Sequence, residues 1–120
     1  MASGDQHLAD LVAHLEKSPQ WPGMVVVITY DENGGFWDHV APPKADRWGP
    51  GNRIPAFIVS PFAKMGTIDH TQDDTTSILR LITARYDLPV LPGLTARDTA
   101  LKANGEPAMG DLTEALDLSQ

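Results

Sequence analysis

Leu8, Leu11, Val12 and Leu15 recur at the spacing of one helical face and predict an amphipathic helix over 4–18. Ser3 with Gln6 three residues on reads as a capping box, and Asp5 suits the first turn. Pro19 and Pro22 in "SPQWPG" cannot continue the helix and end it. The pattern then changes period. "MVVVITY" (24–30) is an apolar run without polar alternation, which predicts a strand buried on both faces, as in a parallel sheet covered by helices. "APPKADRWGPGNR" (41–53) is loop, rich in Pro, Gly and charge. "IPAFIVS" (54–60) predicts a second strand with Pro55 near its start, where strands tolerate proline, and Pro61 closing it. A second helix follows over 75–86, with Ile78, Leu81, Ile82 and Tyr86 on one face, Leu79 widening it and Asp74 as N-cap. Beyond Leu88, prolines and scattered leucines predict a tail wrapping over a larger body, with a short terminal helix over 111–118.

Helix, strand, long loop, strand, loop, helix and tail make an α/β chain whose connections are too long for an antiparallel meander. The expected organisation is a single unit over 1–120, with an α/β core over 1–98 and a tail over 99–120. Two doubly buried strands need neighbours, and this chain offers few. The pattern therefore predicts a piece of a larger sheet, or a chain that pairs with a partner.

Composition narrows the classes further. At 120 residues and 42% hydrophobic, the chain can build one core. A formal net charge of −7 argues against a nucleic-acid partner and against binding to anionic membranes. It leaves open an enzyme acting on anions, because a bound divalent cation inverts the local field. Cysteine is absent, which removes disulfides and thiolate metal sites. No stretch approaches the ~18 apolar residues of a membrane span, and "MASGDQHLADLVAHLEKSPQW" lacks the apolar core of a signal peptide. As written, the chain is expected to stay in the cytoplasm, without stable membrane insertion.

The candidate chemistry lies in "YDENGGFWDHVAPP" (30–43). One reading takes Asn33-Gly34 as a type I′ hairpin turn joining "VVVITY" to "FWDHV". Against it, Asp31 and Glu32 would stand side by side near the sheet without a cation, and Pro42-Pro43 stops the second run early. The other reading places two hard oxygen ligands just past the carboxyl end of a strand, where open α/β sheets bind ligands. Gly34-Gly35 would let the backbone fold tightly around an ion or phosphate. Such ligands suit Mg²⁺, Ca²⁺ or Mn²⁺, and a histidine widens the choice to Zn²⁺ or Fe. An EF-hand is excluded, since loop position six counted from Asp31 is Phe36. Both readings remain open on residues alone. His39 and His70 each follow an aspartate in a loop ("WDH", "IDH") and join the candidate set if the loops converge. His7 and His14, seven apart on the first helix, read as surface or packing residues.

"YDENGGFWDHVAPP" followed by "GPGNRIPAFIVSPFAKMGTIDHTQDDTTSILRLITARYDLPVL" strongly resembles the C-terminal half of the phosphoesterase family, within the alkaline phosphatase superfamily. That family holds bacterial acid phosphatases and non-haemolytic-type phospholipases C. The resemblance runs from the first helix to about Asp98, and "DLTEALDL" is similar to the family's ending. It implies a partial alkaline-phosphatase-like sandwich, a mostly parallel sheet flanked by helices, incomplete without an N-terminal half. It implies that Asp31 and Glu32 hold part of a divalent metal site. His39 and His70 match histidines near the active site, implying leaving-group protonation or phosphate contact. "GNRIP" is similar to a strand-start motif in which Arg53 is structural, and Asp74 and Thr76 would be caps. The implied activity is metal-dependent hydrolysis of a phosphoester or phospholipid head group. The family is usually periplasmic or secreted.

The family's hydroxyl nucleophile has no counterpart here, and Ser60 reads as a polar strand end. The expectation is therefore a chain that supplies part of the metal site and is inactive alone, completed by an N-terminal half or a second chain. The alternative is a non-catalytic binding or assembly module, a truncated or degenerate phosphoesterase fragment.

Overall fold

A computed structural model describes residues 2–119. Helix α1 (Ala2–Leu15) leads through a 3₁₀ turn (Trp21–Gly23) into strand β1 (Val26–Thr29). Strand β2 (Ala56–Val59), helix α2 (Ser77–Arg85), helix α3 (Pro92–Ala103) and a 3₁₀ turn (Thr113–Ala115) follow. α1 begins ahead of the expected capping box, so Ser3 lies inside the helix. Its stripe is only partly covered: Val12 and Leu15 are half-buried, and Leu8 and Leu11 are exposed.

β1 and β2 pair antiparallel, with Val26 opposite Val59 and Thr29 opposite Ala56. This corrects the expected mostly parallel sheet for these two strands. An unalternating apolar run encodes burial, not direction, and the residues between the strands are enough to return the chain either way. Nor is either strand fully buried: Val26, Val27 and Ile28 are half-buried, and Phe57 is exposed. Among the described residues no third strand flanks the pair. The Ser60 hydroxyl donates to the Met24 carbonyl (2.7 Å), fastening the far end of the pair.

The buried apolar side chains sit in the C-terminal part: Leu94 and Leu101 on α3, with Met109, Leu112 and Leu116. α3 runs through Asp98 and Thr99, where only an irregular tail was expected. Pro92 occupies the first helical turn, where a missing N–H costs nothing and φ is already set. The tail wraps over the chain's own body. The Lys64 N–H donates to the Ala115 carbonyl (3.0 Å), the Asp117 N–H to the Phe62 carbonyl (2.7 Å) and the Gly110 N–H to the Gln72 carbonyl (2.8 Å). The expected terminal helix is a single 3₁₀ turn. Two arginines pin α3 in place. Arg80 of α2 makes two 2.8 Å bonds to the Asp98 carboxylate, and Arg97 reaches Asp46 (3.0 Å) and Asp74 (3.5 Å). No helix of the described residues is long and apolar enough to cross a membrane.

Candidate functional site

The chain leaves β1 at Thr29 and turns at once. The Asn33 carbonyl accepts the Phe36 N–H (3.2 Å), and the Asn33 side-chain amide donates to the Phe36 carbonyl (2.8 Å). Gly34 and Gly35 both have positive φ, +67° and +74°, the backbone signature of a type I′ turn. So the turn is centred on Gly34-Gly35, one residue later than the Asn33-Gly34 of the hairpin reading, and the hairpin itself is not formed. β1 pairs with β2, and the segment after the turn stays outside the sheet.

Asp31 and Glu32 stand exposed immediately past the strand, where the carboxylate reading put them. One Asp31 oxygen accepts the Glu32 N–H (3.0 Å), which leaves its second oxygen and both Glu32 oxygens for an outside ligand. Hard oxygens at adjacent positions suit a divalent cation of the Mg²⁺, Ca²⁺ or Mn²⁺ kind as two of the six or more donors such ions take. Among the described residues no group of three or more His, Cys, Asp or Glu side chains is placed to hold a metal.

The loop after the turn is held by Asp38. Its two oxygens receive Nε (2.9 Å) and Nη2 (2.8 Å) of Arg53, and the Val40 N–H donates to Oδ1 (2.9 Å). The Arg53 bonds, with the Val40 amide second, hold the Asp38 carboxyl well below the usual carboxylate range. Arg53 is raised by the same pair. Next to it, His39 is exposed, its Nδ1 3.6 Å from Asp38 Oδ1 and its ring tilted against Trp37 at 6.3 Å. Asn33, Phe36, Trp37, Asp38, His39 and Arg53 line an open depression of about 470 Å³ at this end of the strand pair. Of the four expected site residues, His39 lines it.

His70 lies elsewhere along the chain, exposed, in the loop before α2. Its neighbour Asp69 accepts both the N–H (2.9 Å) and the hydroxyl (2.7 Å) of Thr71, and these bonds, the amide first, lower its pKa. Both Asp-His pairs therefore spend the aspartate on holding a loop, the acid accepting an N–H two residues ahead in an Asx-turn. Asp74 does the same for Thr76 (2.8 Å) one turn ahead of α2, and the Ser77 hydroxyl accepts the Asp74 N–H (3.1 Å). The N-cap position of α2 itself is Thr76, without a side-chain cap bond, so Asp74, expected as N-cap, holds the turn ahead of the helix instead. Missed in the sequence were Asp38 and Arg53 as partners. The pair is 15 positions apart, a separation that no local pattern reports.

Comparison with known proteins adds the following. Residues 1–89 match the sequence model of the Phosphoesterase family. Phospholipase C B of Mycobacterium tuberculosis is 32% identical over 124 residues, covering 82% of this chain and 22% of that protein. Non-specific phospholipase C1 of Arabidopsis thaliana is 34% identical over 92 residues, covering 63% of the chain and 17% of that protein. Non-hemolytic phospholipase C of Burkholderia pseudomallei is 29% identical over 143 residues, covering 97% and 20%. The chain thus spans about a fifth of the length of these curated relatives.

Proposed function

Because this chain belongs to the phosphoesterase family, we propose that it serves in the hydrolysis of phosphoesters, of the acid phosphatase or phospholipase C type. The match over 1–89, which contains the Asp31–His39 turn, carries this reading. In this proposal Asp31 and Glu32 hold part of a divalent metal site past β1. A bound divalent ion would polarise a phosphoryl oxygen and lower the pKa of a coordinated hydroxyl. The chain's own contribution would be to present two carboxylates without competing side-chain partners, in the loop that goes on to line the open depression. In this reading His39, exposed on its rim, would give a proton to the leaving alkoxide. His70, in a loop 31 positions further along, would contact the phosphate.

The nucleophilic hydroxyl and the remaining metal ligands are proposed to come from the rest of an alkaline-phosphatase-like sandwich, as an N-terminal half or a second chain. Support comes from the surface left uncovered: Phe36, Trp37, Phe57, Met65 and Ile68 are all exposed, and β1 and β2 have no further strand among the described residues. The same uncovered surface favours the second reading, a non-catalytic assembly module in which the acidic pair is residual.

Calorimetric titration with Mg²⁺, Ca²⁺, Mn²⁺ and Zn²⁺ separates the two. A metal-site chain binds at least one of them, and Asp31→Asn abolishes binding. An assembly module binds none at millimolar ion. Neither p-nitrophenyl phosphate nor phosphatidylcholine vesicles should be turned over by the chain alone. Turnover that disappears in Asp31→Asn would overturn the expected inactivity.

A further inference from the structure

An arginine lining a depression in a phosphoesterase chain invites assignment as a phosphate clamp. The geometry at Arg53 points elsewhere. Its Nε and Nη2 are both committed to the Asp38 carboxylate at 2.9 and 2.8 Å, the side-on bidentate fork that arginine uses for carboxylates. Asp38 in turn holds the Val40 N–H and stands 3.6 Å from the His39 ring nitrogen. At the strand end, the Thr29 hydroxyl donates to the Pro55 carbonyl (2.9 Å), next to the final strand pair Thr29–Ala56. The long excursion between the strands is therefore tied across twice, at its root and between Asp38 and Arg53. Between the two ties lie Asp31, Glu32 and the Asn33–Phe36 turn. His39 follows the tie directly.

We propose that Asp38 and Arg53 act as a positioning pair: together they lock the 31–39 loop against the start of β2, so that both carboxylates and His39 keep one fixed arrangement. Arg53 acts through Asp38, and neither residue is a ligand of the ion or of the phosphate. This rests on the proposed metal role of Asp31 and Glu32 for its functional consequence, but the locking itself does not depend on a metal.

The test uses the full 120-residue chain, with two readouts: ¹⁵N relaxation at Gly34 and Gly35, and Mn²⁺ affinity by calorimetry. Methyl resonances of Leu101 and Leu112 report whether each variant is folded. In Arg53→Met, the heteronuclear NOE at both glycines should fall while those methyl resonances stay in place. Mn²⁺ affinity should drop about 10-fold, the lower end for loss of a residue that orients metal ligands. The double variant Asp38→Arg with Arg53→Asp should restore both in part, because it rebuilds the tie with the charges exchanged but leaves the Val40 N–H without its carboxylate acceptor. Unchanged loop order and Mn²⁺ affinity in Arg53→Met overturns the proposal, and so does a folded double variant that restores neither. If the wild-type chain binds no Mn²⁺, the metal reading fails. The NOE then decides the pair alone: a fall in Arg53→Met sustains the positioning role, and no change overturns it.

Discussion

Gly34 and Gly35 both occupy the left-handed region, and an alanine there costs about 1–2 kcal/mol per position. A Cβ on Gly34 would also meet the Phe36 ring at 3.2 Å. Gly34→Ala is therefore expected to open the Asn33–Phe36 turn and speed hydrogen exchange at the Phe36 amide, with little effect at Leu101. Titration at the residue scale runs in two directions. Asp38, Asp46 and Asp69 have depressed pKa values, set first by Arg53, the Trp48 amide and the Thr71 amide respectively. Their contribution to stability is present above the unfolded carboxylate value of about 3.9 and is lost as pH falls through their lower folded values. Asp73 behaves oppositely. Burial raises its pKa, the charges of Asp69 and Asp111 push the same way, and the Ser77 hydroxyl and Leu112 amide oppose. One of its oxygens is buried without a partner among the described residues. A raised folded pKa means the folded state binds the proton more tightly, so the ionised carboxylate weakens the fold at neutral pH. Asp73→Asn should raise Tm at pH 7. The gain should shrink as pH falls through the raised Asp73 value, which parallel melts at several pH values would show.

At the scale of elements, α3 and its contacts carry the core. Leu101 is fully buried on α3, and Leu101→Ala should cost about 2–5 kcal/mol, read as a lower denaturation midpoint. The tail crosses α2's leading loop at Gly110, where a Cβ would lie 2.6 Å from Asp73 Oδ1 and 2.7 Å from Thr71 Cγ2. Gly110→Ala is expected to lose about 1–3 kcal/mol, with the Gly110–Gln72 bond exchanging faster. These two elements also show what the sequence disclosed. α1 and α2 were legible because apolar residues recur along each at the helical period, and both strands because each is a short apolar run bounded by loop residues. α3 was not, since "LPGLTARDTALKA" carries few large apolar residues and its prolines resemble breakers. Strand direction was illegible because it depends on where residues 30–55 lead the chain. At the site, the Asp31-Glu32 pair could be found from its place after an apolar run. The Asp38–Arg53 tie could not, and in both Asp-His pairs the aspartate is taken up in turn chemistry, as Asp-x-Val and Asp-x-Thr.

At the scale of the whole molecule, the chain exposes 8964 Å², whereas a compact 13.0 kDa protein exposes about 6,300 Å². Its radius of gyration is 15.8 Å, against about 13.6 Å for a compact chain of this length. Large apolar side chains meet solvent, among them Leu8 and Leu11 on α1, Phe57 on β2, and Phe36 and Trp37 beyond β1. A two-stranded pair is marginal in water by itself and gains stability from a third strand or a covering helix. If the surface is completed by the rest of a phosphoesterase domain, that polypeptide should slow exchange at the β1 and β2 amides that point away from their mutual pair. Protection at the α3 amides, already served by their own helix and core, should change far less. Hydrogen–deuterium exchange with and without such a polypeptide, taken from a full-length family member, reads both regions in one experiment. Protection confined to α3, or none anywhere, would mean that these strand edges are not the surface through which the domain is completed.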